Sequence, residues 1–168
     1  MPNFNVKFTL ITSKHPEILA KKHYLNNQNE YIYETSAHMS AGIAETITVN
    51  SATGFADILK NASINNAICA GTTNFDKVNI ISQNLFTNQN NTITRTKEHF
   101  HFNENTPGIL ILDYDPKKNS ESLSKDEFIK AIAETIPNFH NYSYIWTTSS
   151  SSLIYHNNQE INGVTGQR

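Results

Sequence analysis

Residues 108–116 carry a five-residue apolar run, Gly-Ile-Leu-Ile-Leu, that ends in Asp113-Tyr114-Asp115-Pro116. Residues two apart on a strand share a side, so both carboxylates can aim at one point where an apolar strand meets solvent. Two converging carboxylates can share a hard divalent cation, Mg2+ or Mn2+. Substrate phosphates commonly complete the shell of such a cation, and its charge relieves the repulsion between the two anions. Phosphoryl transfer is the chemistry such a pair could serve. The same two acids also read as a solvated loop ahead of a helix cap at Ser124.

Two further segments could hold phosphate. Residues 95–102 (Arg-Thr-Lys-Glu-His-Phe-His-Phe) alternate, and on a strand Arg95, Lys97, His99 and His101 would line one basic face with Phe100 and Phe102 behind it. That face could hold a triphosphate, whereas His99 and His101 alone could converge on a transition metal. It also reads as an ordinary strand with its aromatic side in the core. The third segment is the serine run around Ser150, Ser151 and Ser152, followed by Gly163 and by Gly166-Gln167-Arg168. Hydroxyl-rich and glycine-containing loops bring backbone N–H groups close to phosphates, and a terminal arginine can meet phosphate oxygens bidentately. Serine runs are also plain loop. Neither a Gly-x-Ser-x-Gly elbow nor a P-loop occurs, which removes the main sequence support for serine hydrolase and Walker-type ATPase readings.

The elements that must position these residues follow from periodicity. Residues 4–11 read as a strand, residues 16–25 as a helix opened by Pro16, residues 31–33 and 43–49 as strands, and Ser51 as the cap of a helix carrying Phe55, Ile58 and Leu59. Residues 67–70 and 78–81 read as strands, 83–91 as an asparagine-rich loop, and 93–102 as a strand. The run 108–112 reads as a central strand covered on both faces. Ser124-Lys-Asp-Glu127 matches a capping box, with Phe128, Ile129, Ile132, Ala133 and Ile136 at helical spacing until Pro137. Strands over 142–147 and 153–155 and a turn at Asn157-Asn158 complete the reading. The fold class expected is α/β or α+β, a mixed, mostly antiparallel sheet flanked by helices.

At 168 residues the chain reads as a single domain, and its sole cysteine, Cys69, excludes an intrachain disulfide or a cysteine-based zinc site. A net charge of −2 leaves no global basic footprint, so any nucleic-acid contact must be local. No apolar stretch approaches membrane-helix length and the first residues lack a signal-peptide pattern, so no membrane partner and a soluble, cytoplasmic location are expected.

Taken together, these segments resemble the archaeo-eukaryotic primase superfamily, particularly primase-polymerase domains of plasmids, phages and integrated elements. Residues 108–116 are similar to its first motif, an apolar strand ending in Asp-x-Asp, and residues 149–168 to the approach to its second, over roughly 95–168 in all. The resemblance implies an RRM-like core with Asp113 and Asp115 as catalytic metal ligands. A triphosphate beside two carboxylates needs further cations, which puts the expected phosphate cradle on Arg95, Ser150 to Ser152 and Arg168, with His99 and His101 as neighbours. It further implies nucleoside triphosphates and a nucleic acid template as partners, with a helicase domain or partner alongside. Two departures stand out. Arg168 stands where the family commonly has His, and arginine binds phosphate without sharing histidine's proton chemistry. A third acidic motif is expected further downstream, so residues 1–168 read as the amino-terminal part of such a domain. Two other readings stay open: an Mn2+-dependent nucleotide-sugar glycosyltransferase using the same Asp-x-Asp, and a noncatalytic accessory or binding domain of a replication protein.

Overall fold

Strand-forming residues with buried alternate positions dominate the first half of the chain, and a capped helix and a tight hairpin the second. The structure is a computed structural model that describes residues 5–14, 18–34, 39–87, 89–116 and 121–168. Phe4, Pro16, His38, Lys117 and Lys118 lie outside the described residues. The chain forms two compact units, Met1–Leu110 and Ile111–Arg168. No helix among the described residues is long and apolar enough to cross a membrane. The architecture is α+β, with a mixed five-stranded sheet and two helices.

In the first unit, β1 (Val6–Ser13), β4 (Ala41–Val49), β5 (Asn66–Cys69), β6 (Lys77–Ile81) and β7 (Thr92–Thr94) form one sheet in the order β5-β1-β4-β6-β7. All neighbours are antiparallel except the parallel pair β6 and β7. Register builds the core directly: Ile11 lies opposite Ala44 and Ala67, Ala44 opposite Val78, and Ile80 opposite Ile93. Ile11, Ala44, Val78, Ile80 and Ile93 share one face and are buried together with Phe100, and Met39, Ala67 and Cys69 pack against them. Burying one such aliphatic side chain fully is worth about 1.5–3 kcal/mol. Gly42 permits the close β1–β4 approach, because a Cβ there would lie 2.6 Å from the Thr12 carbonyl oxygen. On the opposite face, fully buried Phe8 meets Phe55 edge-on at 5.1 Å. That contact seats α1 (Ala52–Asn61), whose N-cap Ser51 accepts a hydrogen bond from the Gly54 N–H.

A separate hairpin pairs β2 (Lys22–Leu25) with β3 (Tyr31–Glu34). The helix expected over residues 16–25 is therefore corrected: its described part holds no helix and ends in β2. Asn26 explains the reversal, since its side chain accepts from the Gln28 and Glu30 N–H groups while Asn29 takes a left-handed φ of 64°.

In the second unit, α2 (Lys125–Thr135) starts at Ser124 with both hydrogen bonds of the capping box. Phe128 and Phe139 are its buried apolar anchors. Strands β8 (Ile154–His156) and β9 (Gln159–Asn162) form a hairpin whose two loop residues, Asn157 and Asn158, both have positive φ (49° and 63°). That is the turn whose twist suits a two-residue loop. Two other expected strands are absent. Residues 142–147 form no strand, and the run 108–112 is unpaired, with Leu110 73% and Ile111 53% exposed. The central strand expected there is therefore corrected to an unpaired segment that contains the boundary between the units.

Candidate functional site

In the second unit, three short segments lie side by side: residues 113–115, 166–168 and 147–149. Tyr114 and Gln167 exchange both backbone hydrogen bonds (2.8 and 3.0 Å), as do Thr147 and Arg168 (2.9 and 2.8 Å), and the Ser149 N–H donates to the Gly166 carbonyl (2.8 Å). Alternation then sorts the side chains. Tyr114 packs against Phe128 at 5.5 Å between ring centroids, and its hydroxyl accepts from the Leu123 N–H. Asp113 and Asp115 take the other side and are exposed. Gln167 anchors the arrangement from within: fully buried, it accepts from Trp146 Nε1 at 2.8 Å and donates through Nε2 to the Leu123 carbonyl.

Each aspartate meets a residue of the terminal segment. Arg168 donates through Nε to Asp113 Oδ1 at 2.8 Å, with a longer second contact of 3.5 Å from its terminal nitrogen to Oδ2. Beside Asp115 stands Gly166, where a Cβ would lie 2.9 Å from Asp115 Oδ1, 3.1 Å from the Tyr114 carbonyl oxygen and 3.2 Å from Ser149 Cβ. Glycine is thus what lets the backbone approach the carboxylate. Sequence reasoning selected Asp113, Asp115 and Arg168 but missed Gly166 and Gln167. Their signal was the Gly-Gln-Arg order itself, in which two outward positions flank an inward one.

The serine run divides by burial. Ser150 is exposed, Ser151 half-buried, and Ser149 and Ser152 buried. Ser152 Oγ accepts from the Thr165 and Gly166 N–H groups at 3.0 and 3.2 Å and lies 3.0 Å from Ser149 Oγ. The Ser151 carbonyl accepts from the Asn162 side chain. Ser152 therefore organises the loop that holds Gly166, and Ser150 is the member of the run whose hydroxyl faces solvent. Leu153 follows in a left-handed conformation (φ 55°), with its N–H bonded to the Gly163 carbonyl. A non-glycine residue there costs about 1–2 kcal/mol, so the loop's hydrogen bonds hold it against strain.

Arg95, His99 and His101 belong to the first unit, and the basic strand face drawn through them is corrected. Strand β7 stops at Thr94 and the chain turns, with the His99 and Phe100 N–H groups both donating to the Thr96 carbonyl. His99 Nδ1 sits 3.2 Å from Thr94 Oγ1 and 3.3 Å from Thr96 Oγ1, and its ring meets Phe86 edge-on. Arg95 and His101 are exposed, and His101 pairs its backbone with Thr72. Thr94 and Thr96 break the run because their hydroxyls offer the histidine local partners that a continued strand would separate.

Among the described residues no group of three or more His, Cys, Asp or Glu side chains could hold a metal ion. A fully protein-ligated transition-metal centre does not fit these residues. Two exposed carboxylates on one side of a paired segment do fit Mg2+ or Mn2+, which are bound by one or two carboxylates together with water and phosphate oxygens. Arg168 already offsets the charge of Asp113, so a cation there shares that carboxylate with the guanidinium or displaces it. No protein-family model, curated protein or solved structure matches the chain.

Proposed function

We propose that the chain binds a nucleoside triphosphate with Mg2+ or Mn2+ at Asp113 and Asp115, as part of a primase-polymerase-like, cytoplasmic nucleotidyl transferase of a replicating element. The observation that carries this reading is the placement of both aspartates, Gly166 and Arg168 on one side of three paired segments. Asp113 and Asp115 would hold the cation, which when bound neutralises phosphate charge and orients the reacting phosphoryl group. The chain's own part is positional. Gly166 admits the backbone to the site, Arg168 offers a planar cation to phosphate oxygens, and Ser150 offers a hydroxyl. Arg95, His99 and His101 lie in the first unit and carry no part of this reading, whose partners would be template nucleic acid and a helicase.

Calorimetry on the full chain tests it. Triphosphate should bind in the presence of Mn2+, and the joint substitution Asp113→Asn with Asp115→Asn should weaken that binding at least tenfold, as expected when charge-assisted contacts worth about 1.5–3 kcal/mol each are lost. Binding that ignores Mn2+, or survives the double substitution, overturns the reading. Preference for a nucleotide diphosphate sugar over the triphosphate would instead assign glycosyl transfer. One observation favours the noncatalytic reading: Asp113 is already paired with Arg168. On that reading Arg168→Gln leaves the chain without nucleotide affinity, as it was before, whereas on ours it lowers a measurable affinity.

A further inference from the structure

Arg168 serves Asp113 in the structure and a phosphate in the proposed function, and one edge of a guanidinium cannot do both at once. Its Nε donates to Asp113 Oδ1 at 2.8 Å and a terminal nitrogen approaches Oδ2 at 3.5 Å, so that edge faces both carboxylate oxygens. The backbone beneath it is held. Arg168 exchanges both main-chain hydrogen bonds with Thr147 (2.9 and 2.8 Å), and the preceding Gln167 is fully buried, with its side chain bonded to Trp146 and to the Leu123 carbonyl. A movement of the guanidinium is therefore a rotation of the side chain about a fixed Cα. The two partners are 47% and 45% exposed, and a pair so wet contributes no more than about fivefold to an equilibrium constant. The contact is easily broken.

A divalent cation on Asp113 would meet the guanidinium on the same carboxylate, and like charges so placed repel. Arginine's planar fork fits phosphate oxygens as well as it fits a carboxylate. We infer that Arg168 is a two-position counterion, which covers Asp113 while no metal is bound and turns to the triphosphate when a divalent cation takes that carboxylate. The inference rests on the metal–nucleotide reading above and adds how the site fills. With the guanidinium on Asp113 the cation alone is held off. A triphosphate gives the guanidinium another partner, so cation and triphosphate each raise the other's affinity for the chain, by the reciprocity that binding linkage requires. The Asp113–Arg168 pair is then the resting position of the arginine.

Two measurements on the full chain test this. In calorimetry with Mn2+ alone, Arg168→Gln should bind the ion about three- to tenfold more tightly than the parent, and with Mn2+ present it should bind ATP about tenfold or more weakly. Arg168→Lys keeps the charge and loses the fork, so it should hold Mn2+ off like the parent yet still bind ATP more weakly. The second measurement reports the turn itself. Arg95 and Arg168 are the two arginines of the chain, so a nitrogen-15 spectrum of the arginine Nε–H groups contains two signals, and Arg168→Gln identifies one of them. Asp113→Asn without ligand should move the Arg168 signal, and ATP with diamagnetic Mg2+ should move it in the parent to a different position. An Arg168 signal that ignores Asp113→Asn, one that stays in place when Mg2+ and ATP bind, or an Arg168→Gln variant that binds Mn2+ no more tightly overturns the two-position arginine and leaves the nucleotide site standing. Absence of Mn2+-dependent ATP binding by the parent overturns both.

Discussion

At the scale of single residues, the candidate site is controlled more by small and buried groups than by the charged ones that advertise it. The Asp113–Arg168 pair is about half exposed on both sides (45% and 47%), and exposed pairs of this kind are typically worth about 0–1 kcal/mol. It orients the two groups without holding the unit together. Gly166 is different, because a methyl group there meets Asp115 Oδ1, a backbone carbonyl and Ser149 Cβ within 3.2 Å. The carboxylate could rotate away, but the Tyr114 carbonyl could not without opening the Tyr114–Gln167 pair. Gly166→Ala is expected to cost about 1–3 kcal/mol, the usual range for overpacking, and to weaken any affinity that depends on Asp115. Urea unfolding followed through Trp146 checks this, since that indole donates to Gln167 next door. An unchanged midpoint would show that the terminal segment is not held as described.

At the scale of elements, legibility follows from how local the determining interactions are. α2 was readable because Ser124, Glu127 and the apolar spacing act within one turn of each other, and α1 because Ser51 caps it directly. Strands 43–49 and 78–81 were readable because one face of each is buried against neighbours of matching pattern. The segments misread all depend on partners distant in sequence or on competing polar groups. Residues 22–25 are compatible with helix until Asn26 and Asn29 fold them back onto Tyr31–Glu34, and the alternation over 93–102 is cut by threonine hydroxyls around His99. The run 108–112 is apolar enough for a central strand, and composition alone cannot say whether a partner strand is present. In α2 the cap makes a quantitative expectation: Ser124→Ala should cost about 1 kcal/mol, read from thermal or urea unfolding near neutral pH. The hydrogen bonds from Ser124 hold the Glu127 carboxyl below its ordinary range. A carboxyl lowered on folding contributes stability that is complete above its unfolded value and is lost as pH falls through its folded value. Acidification should therefore destabilise the parent more than Glu127→Gln, and equal acid sensitivity would show the box to be open in solution.

At the scale of the whole molecule, the alternation of the strands fixed which residues form the core, but the division of the chain did not announce itself through a linker. Each unit nevertheless has its own apolar anchors: Ile11, Ala44, Val78, Ile80, Ile93 and Phe100 in the first, Phe128 and Phe139 in the second. The sole tryptophan, Trp146, lies in the second unit, whereas the five-stranded sheet lies in the first. Two optical signals therefore report on different parts of the chain, with indole fluorescence following the second unit and far-UV circular dichroism weighted toward the sheet. Ile80 is fully buried between Gly42 and Ile93, with no polar group to complicate its removal. Ile80→Ala should cost about 2–5 kcal/mol through lost transfer energy and the cavity left behind. If the units are separate cooperative bodies, that cost falls on the dichroism transition alone and the Trp146 fluorescence midpoint stays where it is. Coincident transitions that both move by the same amount would instead show one cooperative unit, because agreement between probes is what two-state unfolding requires.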